Sequence, residues 1–233
     1  MARRGRPPAT QQPLDADAIV TAGLAVLTDH GLDALTMTRV ADRLGIKAAS
    51  LYWHVRDKEQ LLDLLADALG GMLDLSMFAD PGDWRGSLAA MLRAMRRHLL
   101  THRDAARVMH GRFVAGPGQL RNIEVMLAVL REAGFDKRAT TYAVFLLTTF
   151  LAGFVTGERG RLSAAVADGQ TPRDYLDELR DRFTALPVEQ YPTTVDLAAE
   201  LTEPDLDTRF EFALTCLLDG IEARRQPDTA TPA

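Results

Sequence analysis

The stretch from Thr36 to Val55 constrains this chain more than any other, because it fits two short helical patterns and the break between them into twenty residues. Thr36 is an N-cap residue type, Val40, Ala41 and Leu44 follow at helical spacing, and Gly45 stops the run. A very short second helix is expected over Ala48–His54. Ala41 is small enough for that helix to cross close to it, Gly45 permits the tight turn, and Ile46 and Leu51 turn back to the core and set the crossing angle. Lys47, Ala48, Ala49, Ser50, Tyr52, Trp53 and His54 are then left on the outer side. A DNA major groove admits such a surface, with short residues for close approach and donors at the ends. Tyr52 and His54 can donate to phosphate, and Lys58, near the start of the next helix, adds positive charge. The plain alternative is an ordinary helical hairpin with exposed aromatics.

The remaining pattern is helical throughout, and no segment reads as a strand. Ile19, Ala22, Gly23, Val26 and Leu27 mark a helix that opens at about Asp15 and closes at Gly31. Asp57 and Gln60 form a capping-box-like pair ahead of a helix from Lys58 to about Leu73. Phe78–Gly82 reads as a loop with a Pro81-Gly82 turn. Further helices are expected over Trp84–Leu100, Asp104–Met109, Gln119–Ala133, Ala139–Glu158 and Asp207–Arg224, with Gly116-Pro117-Gly118 as a break. The helix at 139–158 is apolar nearly all round and must be buried on more than one side. Residues 159–204 are polar, with an amphipathic patch at Tyr175–Phe183. The expected class is all-α, with a flexible basic arm (1–14), a three-helix head (15–60), a larger helical body (61–225) and a disordered tail (226–233). Pro7, Pro8 and Pro13 forbid a helix in the arm.

Charge divides the chain unevenly. The net charge is −5, yet residues 36–58 carry Arg39, Arg43, Lys47, Arg56 and Lys58 against only Asp42 and Asp57. Arg3, Arg4 and Arg6 add to that end, which suits a protein touching phosphate at one end only. The single cysteine, Cys216, lies among leucines and reads as a buried small hydrophobe in a reducing compartment. The longest strongly apolar stretch, Tyr142 to Val155, is about 14 residues, too short to cross a bilayer. With no signal-peptide pattern at the start, a soluble cytoplasmic protein without a membrane partner is expected.

Enzymatic chemistry finds no footing. There is no Gly-rich phosphate loop, no nucleophile elbow and no metal motif with a full ligand set. His98 and His102 sit four apart, a spacing that can hold a metal on one helix face, but Arg96, Arg97 and Arg103 disfavour a cation there. Neither a cofactor nor a metal is expected.

Residues 15–69 resemble the TetR family of transcriptional regulators. The likeness is carried by Leu35-Thr36, by Val40-Ala41-Asp42-Arg43-Leu44-Gly45-Ile46, by Ser50-Leu51-Tyr52-Trp53-His54-Val55, and by Lys58 with Leu61-Leu62-Asp63. Leu99-Leu100-Thr101-His102-Arg103-Asp104-Ala105-Ala106-Arg107-Val108 is similar to an element of the tetracycline-repressor subgroup. The resemblance implies a homodimer that represses from a palindromic double-stranded operator and is released by a small-molecule effector. An activator, or a helical interaction module, is the alternative. It implies DNA contacts from Thr36, Thr38, Ala48, Ala49, Ser50, Tyr52, Trp53, His54 and Lys58, with Lys47 beside them. Arg3, Arg4 and Arg6 either reach an adjacent minor groove or form a solubilising tail. Ala48-Ala49 and Thr38 stand where the subgroup has base-reading Gln-Pro and Arg, so a different operator is expected.

The same resemblance places the effector among the middle helices and pairs the two chains through helices 139–158 and 207–224. Met91, Met95, Met109, His110, Phe113, Met126, Phe145 and Phe150 are the candidate lining residues, and adaptable Met suits an apolar ligand. The subgroup holds a drug–magnesium chelate through a His that falls on Met109, with His110 about 100° further round the helix. Its other drug-binding His and Asn fall on Asp74 and Met91. A more apolar or aromatic ligand than tetracycline, without magnesium, is therefore expected.

Overall fold

The computed structural model describes residues 15–80, 82–109, 112, 116–167 and 169–225. Among the described residues the chain is all α-helical, with no strand. The arm arginines Arg3, Arg4 and Arg6, and the effector candidates His110 and Phe113, lie outside them.

Local chemistry sets the first three helices. Helix α1 (Ala16–His30) opens where the Asp15 carboxylate accepts the Ala18 N–H at 2.8 Å, and closes at Gly31, whose φ of 80° suits glycine. Helix α2 (Met37–Leu44) opens on Thr36, whose hydroxyl accepts the Arg39 N–H. At its end Gly45 takes the left-handed conformation, its N–H donates to the Asp42 carbonyl and that of Ile46 to Ala41. This is a Schellman closure, and it redirects the chain into α3 (Ala48–Leu51). Helix α3 is a single turn, shorter than the expected Ala48–His54. Residues 52–54 continue as turns, their N–H groups donating to the carbonyls of Ala48, Ser50 and Leu51.

Helix α4 (Lys58–Gly71) joins head to body. Asp57 accepts the Gln60 N–H, while the Gln60 side chain accepts the N–H of Arg56 rather than that of Asp57. Leu61 and Leu65 are fully buried with Ile19, Leu35, Val40, Leu51 and Val55 in a head core that runs without a break into the body. Glycine brings α1 against α4, since a Cβ at Gly23 would lie 2.8 Å from the Leu65 side chain.

The body follows a 3₁₀ turn (Leu75–Phe78) with α5 (Trp84–Thr101), α6 (Ala105–Met109), α7 (Pro117–Glu132) and α8 (Lys137–Ala167). The chain then forms α9 (Pro172–Thr184), α10 (Pro192–Asp196), α11 (Ala198–Leu201) and α12 (Leu206–Glu222). Helix α7 crosses the end of α4 at backbone contact. A Cβ on Gly118 would come 2.6 Å from the Asp67 carbonyl oxygen and 2.8 Å from Gly71 Cα. Asp67 caps α7 from outside by accepting the Gln119 N–H, and Asn122 donates to the carbonyls of Gly70 and Leu73 at the end of α4.

Four expectations need correction. Helix α8 runs well past Glu158, and its segment Lys137–Gly160, 24 residues, is by length and composition apolar enough to cross a bilayer. One stripe of that segment (Ala143, Val144, Leu147, Leu151, Val155) is buried within the body. Phe145 is 71% exposed on the opposite face beside Tyr142, so it does not line the interior. Cys216 is exposed, not buried. Phe210, Leu214, Leu218 and Ile221 occupy the inner face of α12, and a residue two positions beyond Leu214 points about 200° away from it. Finally, the polar region 159–204 holds more helix than the expected patch. Helix α9 is started by a full capping box between Thr171 and Asp174 with Pro172 at the first helical position.

Candidate functional site

The outer surface of the head is built on buried anchors. Leu51 and Val55 are buried, and they hold the turn between them so that Tyr52 is 52% and Trp53 90% exposed. Lys47, Ala49, Ser50 and His54 are exposed beside them, Ala48 is half-buried, and Thr36 and Thr38 are exposed on α2. Lys58 is half-buried at the first position of α4. All ten described DNA-contact candidates thus lie on α2 and α3, at their N-caps Thr36 and Lys47, in the turn after α3 and at the start of α4. Local ion pairs quench part of the positive charge, since Arg43 pairs with Asp29 at 2.6 Å and Arg56 with Asp57 at 2.8 Å. Arg39, Lys47 and Lys58 have no such acid partner among the described residues, which concentrates the field around α2, α3 and the start of α4.

A set of polar ties spanning residues 103–112 straps this head to the body. The Asp104 carboxylate accepts the Leu32 N–H at 2.8 Å, Arg107 pairs with Asp33 at 2.8 Å, and Arg103 donates to the Asp29 carbonyl. Arg112, just beyond α6, pairs with Glu59 at 2.7 Å and with Asp63 at 2.8 Å, both on α4. Hydrogen bonding and charge from Arg107 hold the Asp33 carboxyl below the usual carboxylate range. Asp104 is the one described non-glycine residue with a positive φ, 56°, a conformation that Asp tolerates better than most residues. His98 joins α5 to α4 by donating from Nε2 to the Leu69 carbonyl at 2.8 Å, and His102 Nδ1 lies 3.1 Å from the His98 carbonyl. The two histidines are thus engaged with backbone, and no group of metal-ligating side chains forms among the described residues.

A cavity of about 270 Å³ opens between the end of α5, α6 and α8. Leu99, Ala105 and Val155 give it an apolar wall, and His102, Asp104, Arg107 and Arg159 a polar one. The described effector candidates lie elsewhere. Met91 and Met126 are fully packed in the core, Met95 and Met109 are half-buried against it, and Phe150 stacks on Phe210 at 5.6 Å. Sequence reading missed Arg107 and Arg159 as lining residues. The only available signal was the His102-Arg103-Asp104 element.

A helix-turn-helix head strapped to a helical body defines a DNA-binding regulator, and comparison with known proteins agrees. Residues 19–65 match the model of bacterial regulatory proteins of the tetR family, and residues 79–225 match the tetracyclin repressor-like C-terminal domain. Tetracycline repressor protein class C of Escherichia coli is 32% identical over 217 residues, covering 91% of this chain and 92% of its own. The transcriptional repressor DrrR1 of Streptomyces coeruleorubidus is 28% identical over 221 residues, covering 93% and 82%. The crystal structure of the Streptomyces coelicolor TetR family protein ActR in complex with actinorhodin superposes with a TM-score of 0.80 at 32% identity, covering 94% of this chain and 99% of that one. The chain belongs to the TetR family, and it is a ligand-responsive transcriptional regulator that works as a dimer on operator DNA.

Proposed function

We infer that two copies of this chain repress transcription from a near-palindromic operator and leave it when a small apolar or aromatic molecule binds the body. The observation that carries this reading is the strap at α6, because one short segment joins the effector side to both the α1–α2 loop and α4. The head (15–60) contacts DNA through Thr36, Thr38, Lys47–Ser50, Tyr52–His54 and Lys58. The body (61–225) pairs with its copy through α8 and α12, where Tyr142, Phe145, Leu146 and Phe212 present a large apolar surface. Two heads then reach successive major grooves about 34 Å apart. A ligand that prefers the wrong head spacing by about 3 kcal/mol weakens DNA binding roughly 150-fold. The protein acts by binding rather than catalysis, in the cytoplasm where DNA is. Similarity to the class C tetracycline repressor, to the transcriptional repressor DrrR1 and to ActR, whose crystal structure holds actinorhodin, supports a repressor that answers to a small molecule.

Selection from a random duplex pool, followed by gel shifts of the winner at two salt concentrations, tests this. Enrichment of one inverted repeat bound by a dimer is expected. Tyr52→Ala should weaken that binding about tenfold while leaving the dimer intact. Binding that enriches no sequence and vanishes with salt would refute the reading.

A further inference from the structure

The cavity beside α6 has an unbalanced chemistry. Three of its lining side chains are basic (His102, Arg107, Arg159), and Asp104 is the one carboxylate. Both oxygens of Asp104 are taken, one by the Leu32 N–H and the other by Arg107 at 3.3 Å. The Thr156 hydroxyl donates to the Ala152 carbonyl of its own helix. Arg159 Nε is buried and has no hydrogen-bond partner among the described residues. A buried donor of a charged group without an acceptor is costly, and native structures seldom keep one without a use. The rest of the wall, Leu99, Ala105 and Val155, offers apolar contact.

We propose that this cavity binds a small apolar carboxylic acid, with Arg159 as the anchor of its carboxylate, and that the bound acid loosens the tie between Arg107 and Asp33. The proposal deepens the effector reading above and rests on it. A carboxylate supplies the two in-plane acceptors that a guanidinium fork matches, which a neutral ligand does not. The volume falls just under the roughly 300–1,000 Å³ usual for drug-sized ligands, so a single aromatic ring or short alkyl chain fits the apolar wall. Arg107 lines the same space while reaching Asp33 on the head. A second carboxylate beside it competes with Asp33 and Asp104 for its donors. Release of that tie leaves the α1–α2 loop held to this segment by Asp104 and Arg103 alone, and the heads lose their DNA-ready spacing.

Thermal melts and calorimetry of the full-length protein with sodium benzoate, phenylacetate and hexanoate test this, with benzamide and sodium chloride as controls. The acids are expected to bind and raise the melting temperature, whereas benzamide and chloride leave it unchanged. R159Q should lower acid affinity by at least about tenfold. Equal responses to benzoate and benzamide, no response to any of the three acids, or full acid affinity in R159Q would each overturn the site. The benzoate–benzamide comparison on the unmodified protein decides the matter even if R159Q is unstable. Gel shifts on the selected operator separate the two readings. DNA binding that ignores acids sinks the loosening of the Arg107 tie and leaves the regulator standing. Acid binding without any selected operator keeps the site and sinks the regulator.

Discussion

Asp104 accepts the backbone N–H of Leu32 at 2.8 Å across 72 residues of sequence, and it does so from a left-handed backbone conformation, φ 56°. The bond thus needs a residue that both tolerates that conformation and carries an acceptor. Asp104→Ala removes the acceptor and places a Cβ-bearing residue without side-chain compensation in strained space. We expect it to lower unfolding stability by about 2–4 kcal/mol, the sum of an orphaned N–H and a left-handed alanine. Asp104→Asn keeps the tolerance of that conformation and the acceptor for Leu32 but turns an amide NH2 toward Arg107, losing that half-exposed ion pair and hydrogen bond, at a cost of about 1 kcal/mol. Urea denaturation of the two variants checks the order.

The crossing of α4 and α7 allows no side chain. Gly118→Ala would put a methyl group 2.6 Å from the Asp67 carbonyl oxygen and 2.8 Å from Gly71 Cα, both backbone atoms that cannot rotate away. The two helices must separate, at about 1–3 kcal/mol. Because α4 carries the head, the variant should also shift operator affinity, whereas Gly153→Ala, in the middle of α8 and meeting nothing within 4 Å, should raise stability by about 0.5–1 kcal/mol through helix propensity. Paired melting and gel-shift measurements on the two variants distinguish a packing defect at the crossing from a general helix effect.

What sequence made legible was local. The Thr36 cap, the Gly45 closure and the inward Leu51 are settled by residues within a few positions of one another, so the head could be read before any fold was known. The strap could not be read that way. Arg107 and Asp33 are 74 residues apart, and nothing near either one marks the pair. Helical periodicity also leaves faces ambiguous on a helix that is apolar nearly all round. Phe145 and Phe150 looked equivalent along α8, yet one is on the outside and the other stacks on Phe210. Met91 and Met126 are cavity candidates in the sequence because the resemblance puts the effector among the middle helices and methionine suits an apolar ligand. Whether a methionine lines a space or fills it depends on neighbours from other helices, and here both fill it.

Arg96 and Glu158 form a pair whose side chains are only about a tenth exposed, at 2.8 Å, and Arg96 also reaches the exposed Asp207 at 2.6 Å. The guanidinium lies over the rings of Phe210 and Phe154, 4.8 and 5.4 Å from their centroids. This ties α5, α8 and α12 together at one point. Glu158→Ala leaves the buried cation with only its solvent-side partner, and about 3 kcal/mol of stability should be lost. Asp207→Ala removes the exposed partner and should cost under about 1 kcal/mol. Equal losses from the two substitutions, read by chemical denaturation, would show that burial does not separate the two bonds.

His98 sets a pH dependence whose sign follows from its surroundings. Burial pushes its imidazole below the ordinary value, as does the charge of His102, while the hydrogen bond to the Leu69 carbonyl works the other way. The folded state therefore prefers neutral His98, and the unfolded chain takes up the proton first as pH falls. Stability from this group is fully present above the ordinary histidine value of about 6.5 and is lost as pH drops toward the lowered folded value. His98→Gln keeps a donor for the Leu69 carbonyl and removes the titration. Between about pH 7.5 and about pH 5.5 the unmodified protein should lose more melting temperature than the variant, because the other groups titrate alike in both. A parallel decline in the two proteins would mean that His98 is not held neutral, and that the contact between α5 and α4 carries no proton linkage.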